Sequence, residues 1–424
     1  MTLRPASLFA TLITGLLATT AMATQATAQK FGTAEIEAAT FTGTDLPAGQ
    51  SALTAKVQVL LDRSGTSPGV IDGFKGGMSE SAIRAFERRA GLPVDGVLDA
   101  AVWDLLLPYA TQPITTDYTI THADAEGLVA SIPADYAEKA QMATLGYTSV
   151  AEKLGERFHM DEKFIAFLNP GIALTPGATI KVAAPASPIK AQVTRIIIDK
   201  TTRRVAGYDA AGTMVVDYPA TVGSDATPSP AGNHRVVTIA LDPNYTYNPK
   251  VNFRQGSNDK VLTIPPGPNG PVGNVWIDLS KPTYGIHGTP TPSQLFVNQS
   301  NGCVRLTNWD ARELANMVKP GVTTVEFLEP GVTIADVTGG TPAMLPASTT
   351  ATTTAATITE TATSAPAAVT ATTLPAAAIR EDTTEPDTPA GAPASVSDDA
   401  LSEALSNALS DGTIPQTATG TAGQ

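Results

Sequence analysis

Reactive side chains are scarce in this chain, whose 424 residues contain one cysteine and four histidines. A lone cysteine forms no internal disulfide, so Cys303 is either a buried passenger or a reactive thiol. With one cysteine and scattered histidines there is no ligand cluster of metal-site spacing, so no metal is expected and no other cofactor is implied. Aromatic residues make up 5% of the chain and none follows Phe327, so residues 340–396, rich in Thr, Ala and Pro, cannot bury a core and are expected to be disordered. Positive charge is also in deficit, with 27 basic residues against 40 acidic ones and a net charge of −13. From residue 341 onward lie nine acids and one arginine, a net −8, which leaves −5 for everything before it. That balance excludes a basic nucleic-acid footprint and a polybasic membrane patch. Long apolar runs are missing except for Leu8–Ala18, which follows Arg4 and precedes Ala21-Met-Ala23 and Ala26-Thr-Ala28. The run is too short for a transmembrane helix. It predicts a secretory signal over residues 1–28, cut after Ala23 or Ala28, and an exported protein of the periplasm or cell envelope.

What is present concentrates late in the chain. Tyr284-Gly-Ile-His287-Gly-Thr is followed by Ser300-Asn301-Gly302-Cys303-Val304-Arg305-Leu306. A thiol attacks carbonyl carbon as thiolate, so it needs a depressed pKa or a neighbouring base, and imidazole can be that base. Gly288 and Gly302 flank the two reactive side chains, where a missing Cβ permits sharp turns and close approach. Backbone N–H groups of Asn301, Gly302 and Cys303 are candidates for holding an oxyanion. Thr307-Asn-Trp-Asp310 reads as a capping box opening a helix through Val318, with Ala311, Leu314, Ala315 and Val318 inward.

Several modules precede this stretch. Residues 29–50 read as a leader. Helical spacing after Ser51, Ser79 and Asp99, with Asp-Gly turns between, predicts a small three-helix bundle over 51–110. Residues 113–185 read as strand, two helices and strand, with Ser149 capping the first helix and a long stretch before it. From 189 to 330 β-branched runs predict a mainly antiparallel β domain with a short helix after the cysteine. Residues 242–271 are punctuated by proline and read as a long loop, a flap over the thiol with Tyr245 and Tyr247 as contacts. His122, His159 and His234 read as structural. Residues 340–424 form the acidic tail, in which Ser397 precedes Leu401, Leu405 and Leu409 at helical spacing. That helix is marginal alone, and its docking on a protein partner is left open.

The His-Gly-Thr and Ser-x-Gly-Cys-Val-Arg-Leu motifs resemble the signature of the YkuD-type L,D-transpeptidases. The resemblance extends to Thr227–Gly232, Pro265–Pro271 and Trp276–Ser280. Many members carry histidine where this chain has Asn301, which leaves His287 as the sole base candidate. The bundle, through Val57–Asp62, Ser67–Gly73, Ala82–Phe86 and Gly91–Gly96, resembles the helical peptidoglycan-binding domain, whose groove would lie near the Asp-Gly turns. Residues 113–185 resemble the LysM glycan-binding module.

The resemblance implies peptidoglycan, glycan strands and stem peptides, as partner and substrate. It implies Cys303 as nucleophile, His287 as general base and acid, and the Gly288 carbonyl as its orienting group, with Ser300, Tyr284 and Arg305 at the substrate. It implies transfer of a tetrapeptide stem through a cysteine thioester to an amine, forming 3→3 cross-links. Two alternatives stand beside it: water as acceptor, an L,D-carboxypeptidase, or a non-catalytic wall-binding scaffold. A papain-like peptidase would place its cysteine before its histidine, the reverse of the order here.

Overall fold

The computed structural model describes residues 31–251 and 253–338; the expected signal, the acidic tail from 340 and the helix after Ser397 lie outside the described residues. The chain begins with α1 (Thr33–Ala38), α2 (Ala52–Arg63), α3 (Gly77–Ala90) and α4 (Ala100–Leu106). Ser51 and Asp99 cap α2 and α4 by accepting from the Thr54 and Val102 amides at 3.1 and 2.8 Å. Each such cap is worth about 1 kcal/mol. Ser79 does not cap α3: the helix starts at Gly77 behind Gly76, and the Ser79 hydroxyl accepts from the Gly76 amide at 2.9 Å. The stretch before Ser51 is more than a leader. Ile36 on α1 is buried, and Phe31 packs on Phe167 with ring centroids 4.9 Å apart. Phe31, Ile36, Phe41 and Leu46 recur every five residues in an Ala/Thr background, which is not a helical period, so they do not announce a helix.

Next come β1 (Thr115–Thr119), α5 (Tyr136–Lys139), α6 (Val150–Phe158), α7 (Glu162–Leu168) and β2 (Thr179–Ala183), with β1 and β2 paired antiparallel. Ser149 caps α6 by accepting from the Glu152 amide at 3.0 Å. One apolar cluster runs from Phe31 to Ala183, joining Leu60 and Phe86 of the bundle to Phe164 and Val182. The two segments therefore share a core. His159 ends α6, with Nδ1 2.9 Å from an Asp62 oxygen of α2 and its ring stacked on Trp309 at 5.2 Å.

The remaining strands are β3 (Arg195–Asp199), β4 (Arg204–Tyr208), β5 (Met214–Pro219), β6 (Gly232–Leu241), β7 (Tyr245–Tyr247), β8 (Leu262–Ile264), β9 (Val275–Leu279), β10 (Gly285–His287), β11 (Val304–Arg305) and β12 (Thr324–Phe327). Helix α8 (Asn308–Met317) lies between β11 and β12, and α9 (Ile334–Thr338) follows. Eight strands form one sheet in the order β11-β10-β9-β6-β12-β3-β4-β5. Its pairs are antiparallel except β10 with β11 and β12 with β3. The expected long loop contains a hairpin instead, β7 paired with β8. Three-residue strands between prolines are too short to show alternation in the sequence.

Ile196, Ile198, Ile277, Ile286 and Val304 point to one side of the sheet and pack against Ala311, Leu314 and Ala315 of α8. Thr307 caps α8 by accepting from the Asp310 amide at 3.0 Å, but the Asp310 carboxylate accepts from the Ser67 hydroxyl, also at 3.0 Å. Half of the box is thus spent on a contact with the bundle. Further links join the bundle to the sheet: Asp217 of β5 receives Arg88 of α3 and, at 2.6 Å, Arg204 of β4. The Asp217 amide donates to Gly65 and its carbonyl accepts from the Ser67 amide, each at 2.9 Å. No described helix is long and apolar enough to cross a membrane.

Candidate active site

Side chains alternate across a strand, so the residues flanking Ile277, Ile286 and Val304 face away from the core. The pairing sets Ile277 and Trp276 opposite Ile286 and His287, and Val304 and Arg305 beside Ile286 and His287. On the face away from α8 lie Trp276 and Asp278 of β9, Gly285 and His287 of β10, Arg305 of β11 and, two residues before it, Cys303. That face carries the candidate chemistry.

His287 is buried, with 4% of its surface exposed. Its Nδ1 lies 2.7 Å from the Gly288 carbonyl oxygen, which accepts and never donates, so Nδ1 carries the proton. Nε2 is left with the basic lone pair. The ring stacks on Trp276 at 5.6 Å with 23° between planes. Burial first, then the Arg305 charge, push the imidazole pKa down to about 3, against a smaller opposite effect of the Gly288 carbonyl. The ring is neutral at physiological pH.

Cys303 is half-buried, and its Sγ lies 3.7 Å from the Thr283 carbonyl oxygen, to which the thiol donates. Burial raises the thiol pKa, and Asp278 adds to this, while the Gly285 amide and Arg305 favour the thiolate. Sulfur and ring therefore rest as thiol and neutral imidazole, the protonation states that precede general-base attack. Thr283 has φ +70, where a β-branched residue is a genuine outlier. Nothing in Lys281-Pro-Thr283 signals that strain.

The cysteine turn is built by hydroxyls. Gly302 has φ +107, and a Cβ there would come 2.6 Å from the Tyr284 ring, so both backbone and space require glycine. The Gly302 amide donates to the Ser300 hydroxyl at 3.1 Å, and Ser300 donates in turn to the Cys303 carbonyl. The Gly302 donor expected at the oxyanion is consequently engaged. Ser300, expected at the substrate, is buried beneath the turn and shapes it. Sequence reading missed Ser229, whose buried hydroxyl donates to the Gly302 carbonyl at 2.8 Å and accepts from the Gly223 amide at 2.9 Å. Its place in Thr227–Gly232 was the available signal.

Asn301 is exposed and Tyr284 half-buried, its ring against Gly302 with the Lys281 ammonium 5.7 Å above it. Arg305 is partly exposed and donates to the Gln299 carbonyl at 3.3 Å. Trp276 and Asp278 were also missed as site residues, and Trp276 Nε1 donates to Asp278 at 3.2 Å. Their alternation in Trp-Ile-Asp-Leu was legible, but its register to His287 was not.

The β7–β8 hairpin stands beside this face. Tyr245 is half-buried, and burial raises its phenol pKa, with a smaller rise from Cys303 once that thiol is ionised. Tyr247, expected as a contact, is instead fully buried; its hydroxyl accepts from the Gln255 amide at 2.9 Å. Tyr136 of α5 packs edge-on to both rings, at 6.2 and 5.1 Å. The long stretch before α6 therefore anchors the hairpin. His122 lies on an exposed turn, and His234 on β6 packs edge-on to Phe327 at 5.7 Å.

Residues 193–327 match the model of the YkuD L,D-transpeptidase catalytic domain, and residues 50–106 match that of a peptidoglycan binding domain. Over 173 residues the chain is 30% identical to a Bacillus licheniformis protein bearing the name L,D-transpeptidase YkuD, covering 40% of this chain and 88% of that one. It is 26% identical over 191 residues to an Escherichia coli protein named as a probable L,D-transpeptidase, YbiS, covering 43% of this chain and 61% of that one. Among solved structures, a mutant of Enterococcus faecium L,D-transpeptidase aligns with a TM-score of 0.25 at 22% identity, covering 32% of this chain and 50% of that one. With the helical bundle, the mixed sheet and the histidine and cysteine strands side by side, the chain belongs to the YkuD-type L,D-transpeptidase family.

Proposed function

We propose that this enzyme acts on peptidoglycan tetrapeptide stems through a thioester on Cys303. The observation that carries the reading is the shared face: His287 on β10 and Cys303, the residue directly before the neighbouring β11, lie on the side away from the core. His287 Nε2 takes the proton of Cys303 as sulfur attacks the carbonyl between the third residue of the stem and D-Ala. The Asn301 and Cys303 amides hold the oxyanion. The tetrahedral intermediate collapses with expulsion of D-Ala, whose amine receives the proton from His287. An amine of a second stem then attacks the thioester and forms the 3→3 link. The Gly288 carbonyl keeps the ring in the productive tautomer, in place of the carboxylate of a triad. Arg305 receives a substrate carboxylate, and Tyr284 and Tyr245 line the groove beneath the hairpin.

The helical bundle holds the enzyme on the wall, and the protein works in the cell envelope. Incubating the full chain with a tetrapeptide donor, with and without an amine acceptor, tests the reading by product chromatography. Cross-linked dimer is the expected product; free tripeptide alone would make water the acceptor.

A further inference from the structure

The side chain of Asn308, the first residue of α8, is buried to 1% exposure immediately behind the histidine. Its Nδ2 donates to a carboxylate oxygen of Glu156 on α6 and, at 3.2 Å, to the Pro268 carbonyl. Two acceptors on the same atom fix which way the amide points. The other end, Oδ1, is therefore aimed between Gly288 and Gly273, where a Cβ would lie 2.1 and 2.0 Å from it, and among the described residues it has no hydrogen-bond partner. Gly288 is the residue whose carbonyl holds Nδ1 of His287. The second Glu156 oxygen accepts from the Tyr147 hydroxyl at 2.9 Å.

We propose that Glu156 is a positioning residue for the transpeptidase reaction, acting on His287 through Asn308 and the backbone of Gly288. The proposal rests on His287 being the base. Glu156 lies outside both matched stretches, 50–106 and 193–327, so the histidine's support extends into the segment between them. Neighbouring contacts reinforce that seam: Asn269 donates to Glu152 of α6 and, at 3.0 Å, to the Gly146 carbonyl, and the Leu145 amide donates to Pro266 at 2.9 Å.

The Asn308 amide is held most firmly when Glu156 is ionised, because its bond is then charge-assisted. Burial pushes this carboxyl up to about 7, with Glu152 of the same helix adding to the rise; the hydrogen bonds from Asn308 and Tyr147 and the charge of Arg312 on α8 oppose it. Protonation removes the charge that strengthens the Asn308 bond: on the oxygen facing Asn308 it sets donor against donor, and on the oxygen facing Tyr147, whose hydroxyl turns to accept, it leaves a weaker neutral bond; either way the support of Gly288 slackens. His287 does not titrate in that range.

The test measures acylation of the full chain by a carbapenem from pH 5.5 to 8.5, separating the limiting rate from the concentration dependence. Variants are Glu156→Gln, Glu156→Ala, Asn308→Ala and the double alanine, each checked by circular dichroism and thermal melting. The wild type should lose several-fold in limiting rate as pH falls through about 7, with half-saturation unchanged. Glu156→Gln should be slower than wild type at pH 8 and flat with pH. Glu156→Ala should be roughly tenfold slower, and the double variant no slower than Asn308→Ala, because the two act in series. Folded variants acylating at the wild-type rate, or a limb near pH 7 persisting in Glu156→Gln, would overturn the proposal. A wild type that gains no Cys303-dependent adduct would instead overturn the reading of the site itself, and the proposal with it.

Discussion

The Gly288 carbonyl oxygen sits 2.7 Å from Nδ1 of His287 while the amide oxygen of Asn308 occupies the place where a Gly288 side chain would begin. One glycine thus serves as the histidine's hydrogen-bond acceptor and as its packing neighbour. Gly288→Ala would put a methyl 2.1 Å from Asn308 and force the backbone to move. The expected result is a loss of tenfold or more in acylation rate and about 1–3 kcal/mol of stability, the cost of overpacking a tight interior. Stopped-flow acylation and thermal melting measure both.

The buried imidazole also predicts a pH dependence of stability. Its folded-state pKa of about 3 lies below that of an exposed histidine, about 6.5. The unfolded chain therefore takes up the proton first, so the contribution is full above about pH 6.5 and is lost as pH falls towards 3. Other buried groups titrate as well, so the quantity to measure is the difference between wild type and His287→Gln. Wild type should lose more stability than the variant between pH 7 and 5, by on the order of 1–2 kcal/mol.

Thr283 holds the carbonyl that receives the thiol while strained at φ +70. Thr283→Asn replaces a β-branched residue by one that tolerates this region and should raise stability by about 1 kcal/mol. Denaturant unfolding checks it. An unchanged or lowered midpoint would mean that neighbouring contacts already offset the strain.

Asp217 is fully buried between Arg88 of the bundle and Arg204 of the sheet. Asp217→Ala leaves buried guanidinium charge without its carboxylate and should cost about 3–5 kcal/mol. One cooperative unfolding transition is expected in the wild type, since the bundle and sheet share these bonds; two separate transitions would contradict that.

Much of this was legible in the sequence because local chemistry dictated it. Ser51, Asp99, Ser149 and Thr307 announce their helices, since a hydroxyl or carboxylate at an N-cap satisfies an amide three residues on. Cys303 and His287 stood out by rarity, and the β-branched runs predicted strands. What escaped depends on distant partners. Ser79 has a cap's chemistry but sits inside its helix, and Ser300 has a contact residue's chemistry but lies beneath the turn. The β7–β8 hairpin is stabilised by Tyr136, more than 100 positions earlier, so no local pattern marks it. Asn308 looked like helix sequence; only the fold sets it between Glu156 and Gly288.

Mass spectrometry of the full chain after incubation with a carbapenem, beside the Cys303→Ala variant, tests most directly whether Cys303 is the nucleophile. The wild type should gain the mass of one carbapenem, located by peptide mapping on the peptide containing Cys303, and the variant should gain nothing. An adduct of the same mass on Cys303→Ala, or a folded wild type that stays unmodified, would contradict it.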